Sequence, residues 1–246
     1  MKYAILSDVH ANPAALKNVL SDARKLGAEK ILCLGDVVGY GPEAEDTVRL
    51  VREEVDVALM GNHDAAVSAV ITGAGFSLYA LRGVKRHRDE TSVESKQWLS
   101  RLPYTFQGDD FACTHGEFSK PEAFEYVTAP EDALPSFESR NEDVLFVGHT
   151  HAASVLQFRE GDIPVALSLG AQIQLDEGCR YLVNVGSVGY PRYDVDSIYC
   201  LYDTSERTLT FRRLPFDFKG YEKKMRKRDV DMPRWFEELK ARNYKR

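Results

Sequence analysis

The chain has 246 residues, 43% of them hydrophobic and 28% charged, enough for one large core or two small ones. No stretch approaches the ~18 consecutive apolar residues of a membrane-spanning helix, and Met1-Lys2-Tyr3 leads into a strand rather than a signal-peptide apolar region, so no membrane association and a cytoplasmic location are expected. The net charge of −6 is uneven: from Arg212 onward 13 Lys/Arg stand against 6 Asp/Glu, which leaves residues 1–211 at −13, a body too acidic for a stable complex with nucleic acid.

Residues 2–7 read as a buried strand through Ala4, Ile5 and Leu6 that ends in Ser7-Asp8-Val9-His10. Asp8 and His10 are two apart, so in gently turning chain a carboxylate and an imidazole point the same way. Asn12 as N-cap and Pro13 as first residue open a helix with Leu16, Val19, Leu20 and Ala23 on its apolar face. A second strand, from Ile31 to Leu34, ends in Gly35-Asp36, and a second helix from Pro42 keeps Ala44, Thr47, Val48 and Val51 on one side. A third strand over residues 55–60 delivers Gly61-Asn62-His63-Asp64. This alternation is that of right-handed crossovers in a parallel sheet. It puts the three motifs on one sheet edge, where open α/β sheets bind ligands.

Residues 65–102 read as helical and hold no obvious catalytic group, with Thr91-Ser92-Val93-Glu94 as a capping box. His87, set among Arg82, Lys85, Arg86 and Arg88, is expected at the surface. Residues 104–107 and 111–114 read as a hairpin turned at Gly108-Asp109, and its second strand ends in His115-Gly116. After an irregular stretch around Pro121 and a short helix near Pro130, the strand over residues 144–147 ends in Gly148-His149-Thr150-His151.

Short strands over residues 154–158, 165–169, 181–185, 197–202 and 209–213 complete the pattern. The expected fold is an α/β, two-sheet αββα sandwich, with a parallel-rich first sheet and a largely antiparallel second sheet. No linker or repeat divides it, so residues 1–215 are read as one domain. Residues 216–246 are read as a helical extension packed on it through Trp235, Phe236 and Leu239, with its basic residues forming a solvated face.

Five of the six histidines, His10, His63, His115, His149 and His151, fall at strand ends together with Asp8, Asp36, Asn62 and Asp64. A lone strand-end histidine is more often structural, but five beside Asp, Asn, Gly or a second His are costly to bury without a metal. In Gly61-Asn62-His63-Asp64 the Asn oxygen can ligate a cation, the imidazole can move a proton and the carboxylate can fix that imidazole's tautomer. Asp64 serves equally well as a helix cap. Cys33, Cys113, Cys179 and Cys200 sit in apolar runs without metal-ligand spacing and are expected to be buried reduced thiols, with Cys113 a neighbour of the chemistry.

Asp8-x-His10, Gly35-Asp36, Gly61-Asn62-His63-Asp64, His115-Gly116 and Gly148-His149-x-His151 resemble the five ordered motifs of the calcineurin-like metallophosphoesterases. Gly39-Tyr40-Gly41-Pro42 and Gly186-Ser187-Val188-Gly189 are similar to stretches in small prokaryotic members. The resemblance implies two divalent metal ions, the first held by Asp8, His10 and His151, the second by Asn62, His115 and His149, with Asp36 bridging. Mixed nitrogen and oxygen ligands suit Mn, Fe or Zn without choosing among them, and Mn is the expected metal. The resemblance also implies hydrolysis of phosphodiesters or nucleotide phosphoanhydrides by a metal-activated hydroxide, with His63 as proton donor or charge neutraliser oriented by Asp64.

A small, nucleotide-like phosphorylated substrate is the expected partner. Diadenosine-polyphosphate hydrolysis, phosphomonoester hydrolysis and an inactive binding module of the same fold are the alternatives. The arginines that flank the second and third motifs in the family's protein phosphatases are missing at Val37 to Tyr40 and at Met60-Gly61, which argues against phosphoproteins. Arg192 offers a charge in their place, or its segment is only a turn. Tyr40 and Tyr190 offer rings on which a base or aryl group could stack.

Overall fold

Apolar runs buried on both faces account for the layering. The computed structural model describes residues 1–243. In chain order it contains β1 (Lys2–Leu6), α1 (Pro13–Lys25), β2 (Lys30–Cys33), α2 (Ala44–Glu54), β3 (Val57–Ala58), α3 (Asn62–Val67), α4 (Leu78–Glu90) and α5 (Val93–Leu99). There follow β4 (Thr105–Gln107), β5 (Phe111–Thr114), α6 (Leu134–Ser139), β6 (Val144–Val147), β7 (Ser154–Phe158), β8 (Val165–Leu167) and β9 (Ile173–Gln174). The chain closes with β10 (Arg180–Asn184), β11 (Asp196–Asp203), β12 (Thr208–Pro215), α7 (Phe218–Lys227) and α8 (Arg234–Asn243).

The strands form two six-stranded sheets, β3-β2-β1-β11-β12-β9 and β4-β5-β6-β10-β7-β8. In β1, Ala4 and Leu6 turn to the helix side with Leu16, Val19, Val48 and Val51. Ile5 turns the other way, into a core between the sheets with Leu32, Phe111, Phe146 and Tyr202. The second sheet repeats this, Phe111 and Phe146 facing inward while Ala112 and Leu145 face outward onto Phe118 and Phe137. Burying each large side chain contributes ~1.5–3 kcal/mol, so strands apolar on both faces are stable only as inner layers under helices.

The expected αββα sandwich is therefore observed, but the division of strands between sheets differs. Both sheets are mixed. In the first, β1, β2 and β3 run parallel, while β11 pairs antiparallel with β1, placing Ile5 opposite Cys200. In the second, β5, β6 and β10 are parallel and the remaining pairs antiparallel. Strand β11 carries Ile198, Tyr199, Cys200, Leu201 and Tyr202 in succession, all buried. Such a strand needs cover on both faces, and the slot beside β1 provides it.

Local signals read well at helix starts. Asn12 Oδ1 accepts from Ala15 N at 3.2 Å with Pro13 at the first helical position. Helix α5 starts one residue later than expected, with Ser92 rather than Thr91 as its cap, accepting from Ser95 N at 3.1 Å. The expected strand over 55–60 is reduced to Val57–Ala58, and a loop separates α3 from α4. At the C-terminus Phe216, Phe218, Tyr221, Met225 and Phe236 form a satellite core with Val195, and Trp235 meets the ring of Tyr190 edge-on at 4.8 Å. The helical expectation for residues 244–246 lies outside the described residues. Among those described, no helix is long and apolar enough to cross a membrane, and all four cysteines are free and buried.

His87 is a correction: it is fully buried, not on the surface. Its Nδ1 accepts from Gly39 N at 3.0 Å and its Nε2 donates to Gly41 O at 2.9 Å, which ties α4 to the loop after β2. The cationic neighbours that suggested exposure lie along the same helix, and Arg86 reaches the carbonyls of Tyr40 and Gly41 itself. Burial, helped by the charge of Arg86, pushes the His87 pKa down to about 3.

Above the unfolded-chain value of ~6.5, both states leave this ring neutral and its native bonds count in full. As pH falls from there toward 3, only the unfolded chain takes the proton, and stability is lost at ~1.4 kcal/mol per pH unit. Glutamine can make both hydrogen bonds without titrating. His87→Gln should therefore flatten the pH dependence of unfolding free energy by about that amount between about pH 6 and 4, measured by urea unfolding of metal-free protein at each pH.

Candidate metal centre

The parallel strands deliver every strand-end motif to the same place. Asp8 and His10 follow β1, Asp36 follows β2, Asn62 and His63 open α3 after β3, His115 follows β5, and His149 and His151 follow β6. These turns are sharp. Asp8 (φ 56°), His10 (46°), Asp36 (54°), His149 (66°) and His151 (63°) all adopt the left-handed region, at roughly 1–2 kcal/mol each for an L-residue. Strain of this kind persists where packing over-determines it, and it clusters at functional sites. Gly61 allows a close approach, since a Cβ there would collide with the Asp36 backbone nitrogen and carboxylate.

Among the described residues, three groups of side chains lie within ligand reach of a cation: Asp8, His10 and His151; His10, Asp36 and His63; and Asp36, His115 and His149. Asp36 Oδ2 stands 3.6 Å from His10 Nε2 and 3.5 Å from His115 Nε2, between two of the groups. Asp8 Oδ1 lies 3.2 Å from His151 Nε2 and 3.6 Å from His10 Nε2. Each carboxylate is held by its other oxygen: Asp8 Oδ2 accepts from His149 N at 3.0 Å and Asp36 Oδ1 from His63 N at 2.9 Å.

The imidazoles are oriented in the same manner. His10 Nδ1 donates to Val38 O at 3.0 Å, His115 Nδ1 to Leu34 O at 3.0 Å and His151 Nδ1 to Tyr190 O at 2.6 Å. A carbonyl can only accept, so Nδ1 carries the proton and Nε2 presents a lone pair in each neutral ring. The Nε2 atoms of His10 and His151 are 3.1 Å apart. With both rings neutral these are two lone pairs face to face, which is repulsive unless a cation or proton lies between them. Asp8 Oδ1 and Asn62 Oδ1 are buried with no hydrogen-bond partner among the described residues. Buried polar atoms are rarely left so, and this donor set fits a divalent metal.

The charges follow from these contacts. Burial works against ionisation of Asp8 and Asp36, but the surrounding imidazoles outweigh it and hold both carboxyls below the usual range. Burial likewise opposes the charge on His115, yet the adjoining Asp36 raises it to about 9. His63 and His149 are pushed down by burial to about 3.

Asp64 requires a correction. Its carboxylate accepts from Val37 N at 3.2 Å, Val38 N at 3.0 Å and Gly61 N at 3.1 Å, and His63 Nδ1 is left without a hydrogen-bond partner among the described residues. It thus pins the second motif's loop to the third, while burial and the charge of Asp36 raise its pKa to about 7. Tyr40 and Tyr190 line the cleft, but they stack on each other at 4.3 Å and are nearly buried, which leaves little ring surface for a ligand. Tyr40 packs instead against His10 and His63, at 4.7 and 4.4 Å between ring centroids. Arg192 donates to Tyr40 Oη at 3.0 Å, with its guanidinium over both tyrosine rings.

Asp36, Asn62, His63, His149, His151 and Arg192 line a cleft of approximately 1310 Å³. Phe76 on the His63 side and Tyr126 on the His149 side line it too, with Trp235 from the C-terminal extension. Sequence reasoning missed Phe76 and Tyr126, which stand in irregular segments without periodicity.

The profile of the calcineurin-like phosphoesterase superfamily domain matches residues 1–207. An uncharacterised protein of Methanocaldococcus jannaschii is 33% identical over 241 residues, covering 96% of this chain and 95% of its own. The phosphodiesterase YfcE of Escherichia coli is 26% identical over 215 residues, which span 83% of this chain and 95% of YfcE. Among solved structures, a metallophosphoesterase from Sphaerobacter thermophilus matches with a TM-score of 0.82 at 31% identity, over 98% of both chains. The motif order, the two-sheet sandwich and these likenesses agree, and the chain belongs to the calcineurin-like phosphoesterase superfamily.

Proposed function

We propose that this protein is a metal-dependent phosphoesterase with a dinuclear site, acting on phosphodiesters or nucleotide phosphoanhydrides in the cytoplasm. The observation that carries the reading is the convergence of carbonyl-oriented imidazole Nε2 atoms on two carboxylates, together with a buried Asn62 oxygen that has no hydrogen-bond partner among the described residues. Asp8, His10 and His151 would hold one cation, Asn62, His115 and His149 the other, and Asp36 both, with Mn²⁺ the metal proposed. Cations bound there would supply Lewis-acid polarisation of the phosphoryl group and lower the pKa of a water molecule.

The chain's own residues do the rest. The cleft admits a phosphorylated group to the cluster, and the guanidinium of Arg192 meets its negative oxygens. His63, beside Asp36 and His10, donates its N–H to the oxygen that gathers charge as the P–O bond breaks. Asp64 acts at a distance, keeping the loops of Asp36 and His63 in register. Residues 1–215 form the catalytic domain in this reading, and the extension from residue 216 completes the cleft wall. Diadenosine polyphosphates are a second substrate reading compatible with the same site, favoured by a cleft much larger than one phosphoryl group requires.

Two experiments test this. In metal-free protein Asp36 keeps a proton on His115 up to about pH 9, and a cation must displace it. Mn²⁺ binding should therefore release close to one proton at neutral pH, with affinity rising as pH rises toward 9, as read by calorimetry in buffers of different ionisation enthalpy. Proton-independent binding would remove His115 from the ligand set.

Mn²⁺-reconstituted protein should also hydrolyse bis(p-nitrophenyl) phosphate, and His63→Ala should lower kcat ~10²- to 10⁴-fold at unchanged metal content. A variant that loses metal in proportion to activity would make His63 a ligand instead. No turnover by metal-loaded protein would count against the enzymatic reading.

A further inference from the structure

Tyr126 occupies an unusual position for a large ring, 50% exposed beside the candidate metal centre. One face lies on the imidazole of His149, with 3.8 Å between centroids and 21° between planes, and the residue lines the cleft. Its setting is built. Phe124, with φ 54°, is buried against His115 and Tyr104 two residues earlier. Gly116 comes so close to this loop that a Cβ on it would stand 2.8 Å from Glu125 O. The remaining cleft wall offers further apolar surface in Phe76, Leu78 (77% exposed) and Trp235. Tyr40 and Tyr190, two further rings in the cleft lining, are buried against one another.

A ring kept flat by its stack on His149, anchored through its neighbours and half open to the cleft is suited to take a second flat ring. We propose that Tyr126 is the platform of an aromatic-binding subsite, receiving the nucleobase or aryl group of a substrate whose phosphoryl group sits at the metal cluster. This rests on the phosphoesterase reading and specifies what flanks the scissile phosphoryl. The subsite and Arg192 divide the work: one meets an apolar π-face, the other negative oxygen. Stacking tolerates any base, so the subsite selects for an aromatic group without strong preference among nucleobases.

The test is calorimetric binding of AMP and of ribose 5-phosphate, which differ by the base alone, to Mn²⁺-reconstituted protein. AMP is expected to bind about ten-fold more tightly, the low end of what base–aromatic stacking contributes. Tyr126→Ala should bring the ratio to about one with ribose 5-phosphate affinity unchanged, and Tyr126→Phe should keep it, since the ring and not the hydroxyl is used.

Equal affinities in the unmodified protein, or a ratio unaltered in Tyr126→Ala, would overturn the subsite. So would equal weakening of both ligands in that variant, because the ring would then only be holding His149. If neither compound binds and bis(p-nitrophenyl) phosphate is not hydrolysed, the phosphoesterase reading falls and the subsite with it. Hydrolysis and ribose 5-phosphate binding without a gain for AMP would remove the subsite alone.

Discussion

A neutral imidazole has one lone pair to offer, and the partner of its N–H decides which nitrogen offers it. At His10, His115 and His151 that partner is a backbone carbonyl, of Val38, Leu34 and Tyr190 respectively. Those carbonyls belong to the loops after β2 and β10, so the direction of each lone pair depends on strands other than the one carrying the histidine. The geometry of the candidate metal centre is thus a consequence of sheet pairing. Moving β2 by one residue against β1 would carry Leu34 and Val38 away from both rings at once.

The same dependence explains why the strained turns persist. Left-handed backbone at Asp8, His10, Asp36, His149 and His151 would relax in isolated peptides. Here Asp8 N donates to Gly35 O at 3.1 Å and His10 N to Asp36 O at 2.9 Å, so each strained turn is part of the next turn's hydrogen bonding. Asp64 adds three further bonds to this lattice, and His87 closes it from behind. The apolar layers beneath, with Ile5, Phe111, Phe146 and Tyr202 between the sheets, supply the stability from which such strain is offset.

Electrostatically the cluster is balanced for a cation. Two carboxylates stay ionised despite burial, and His63, His149 and His151 stay neutral. His115 is held charged, by Asp36. The C-terminal extension contributes from outside the family-matched residues 1–207. Tyr79 donates to Asp231 O at 2.9 Å and Arg82 pairs with Asp231 at 3.1 Å, which joins the extension to α4 beside the cleft.

Much of this was legible in the chain because its determinants are local. An apolar run that stops at Asp-x-His, Gly-Asp, Gly-Asn-His-Asp or Gly-His-x-His states both where a strand ends and which donors stand there, and Asn12-Pro13 states where a helix begins. Those signals named candidate donors that the fold brings together, and the sandwich of two sheets under helices.

What they could not determine were choices among distant partners. Strand β11 meets β1 nearly 200 residues away in sequence, where Ile5 lies opposite Cys200. His87 is buried by Gly39 and Gly41 rather than exposed by its cationic neighbours. Asp64 is drawn to three backbone N–H groups rather than to the adjacent His63 ring, since buried donors left unpaired would cost more than an unoriented imidazole. Tyr126 came to the cleft through an irregular loop with no pattern to announce it. Local chemistry is written in the order of residues, whereas competition between distant groups for the same hydrogen bonds and the same buried slots is settled only when the chain is packed.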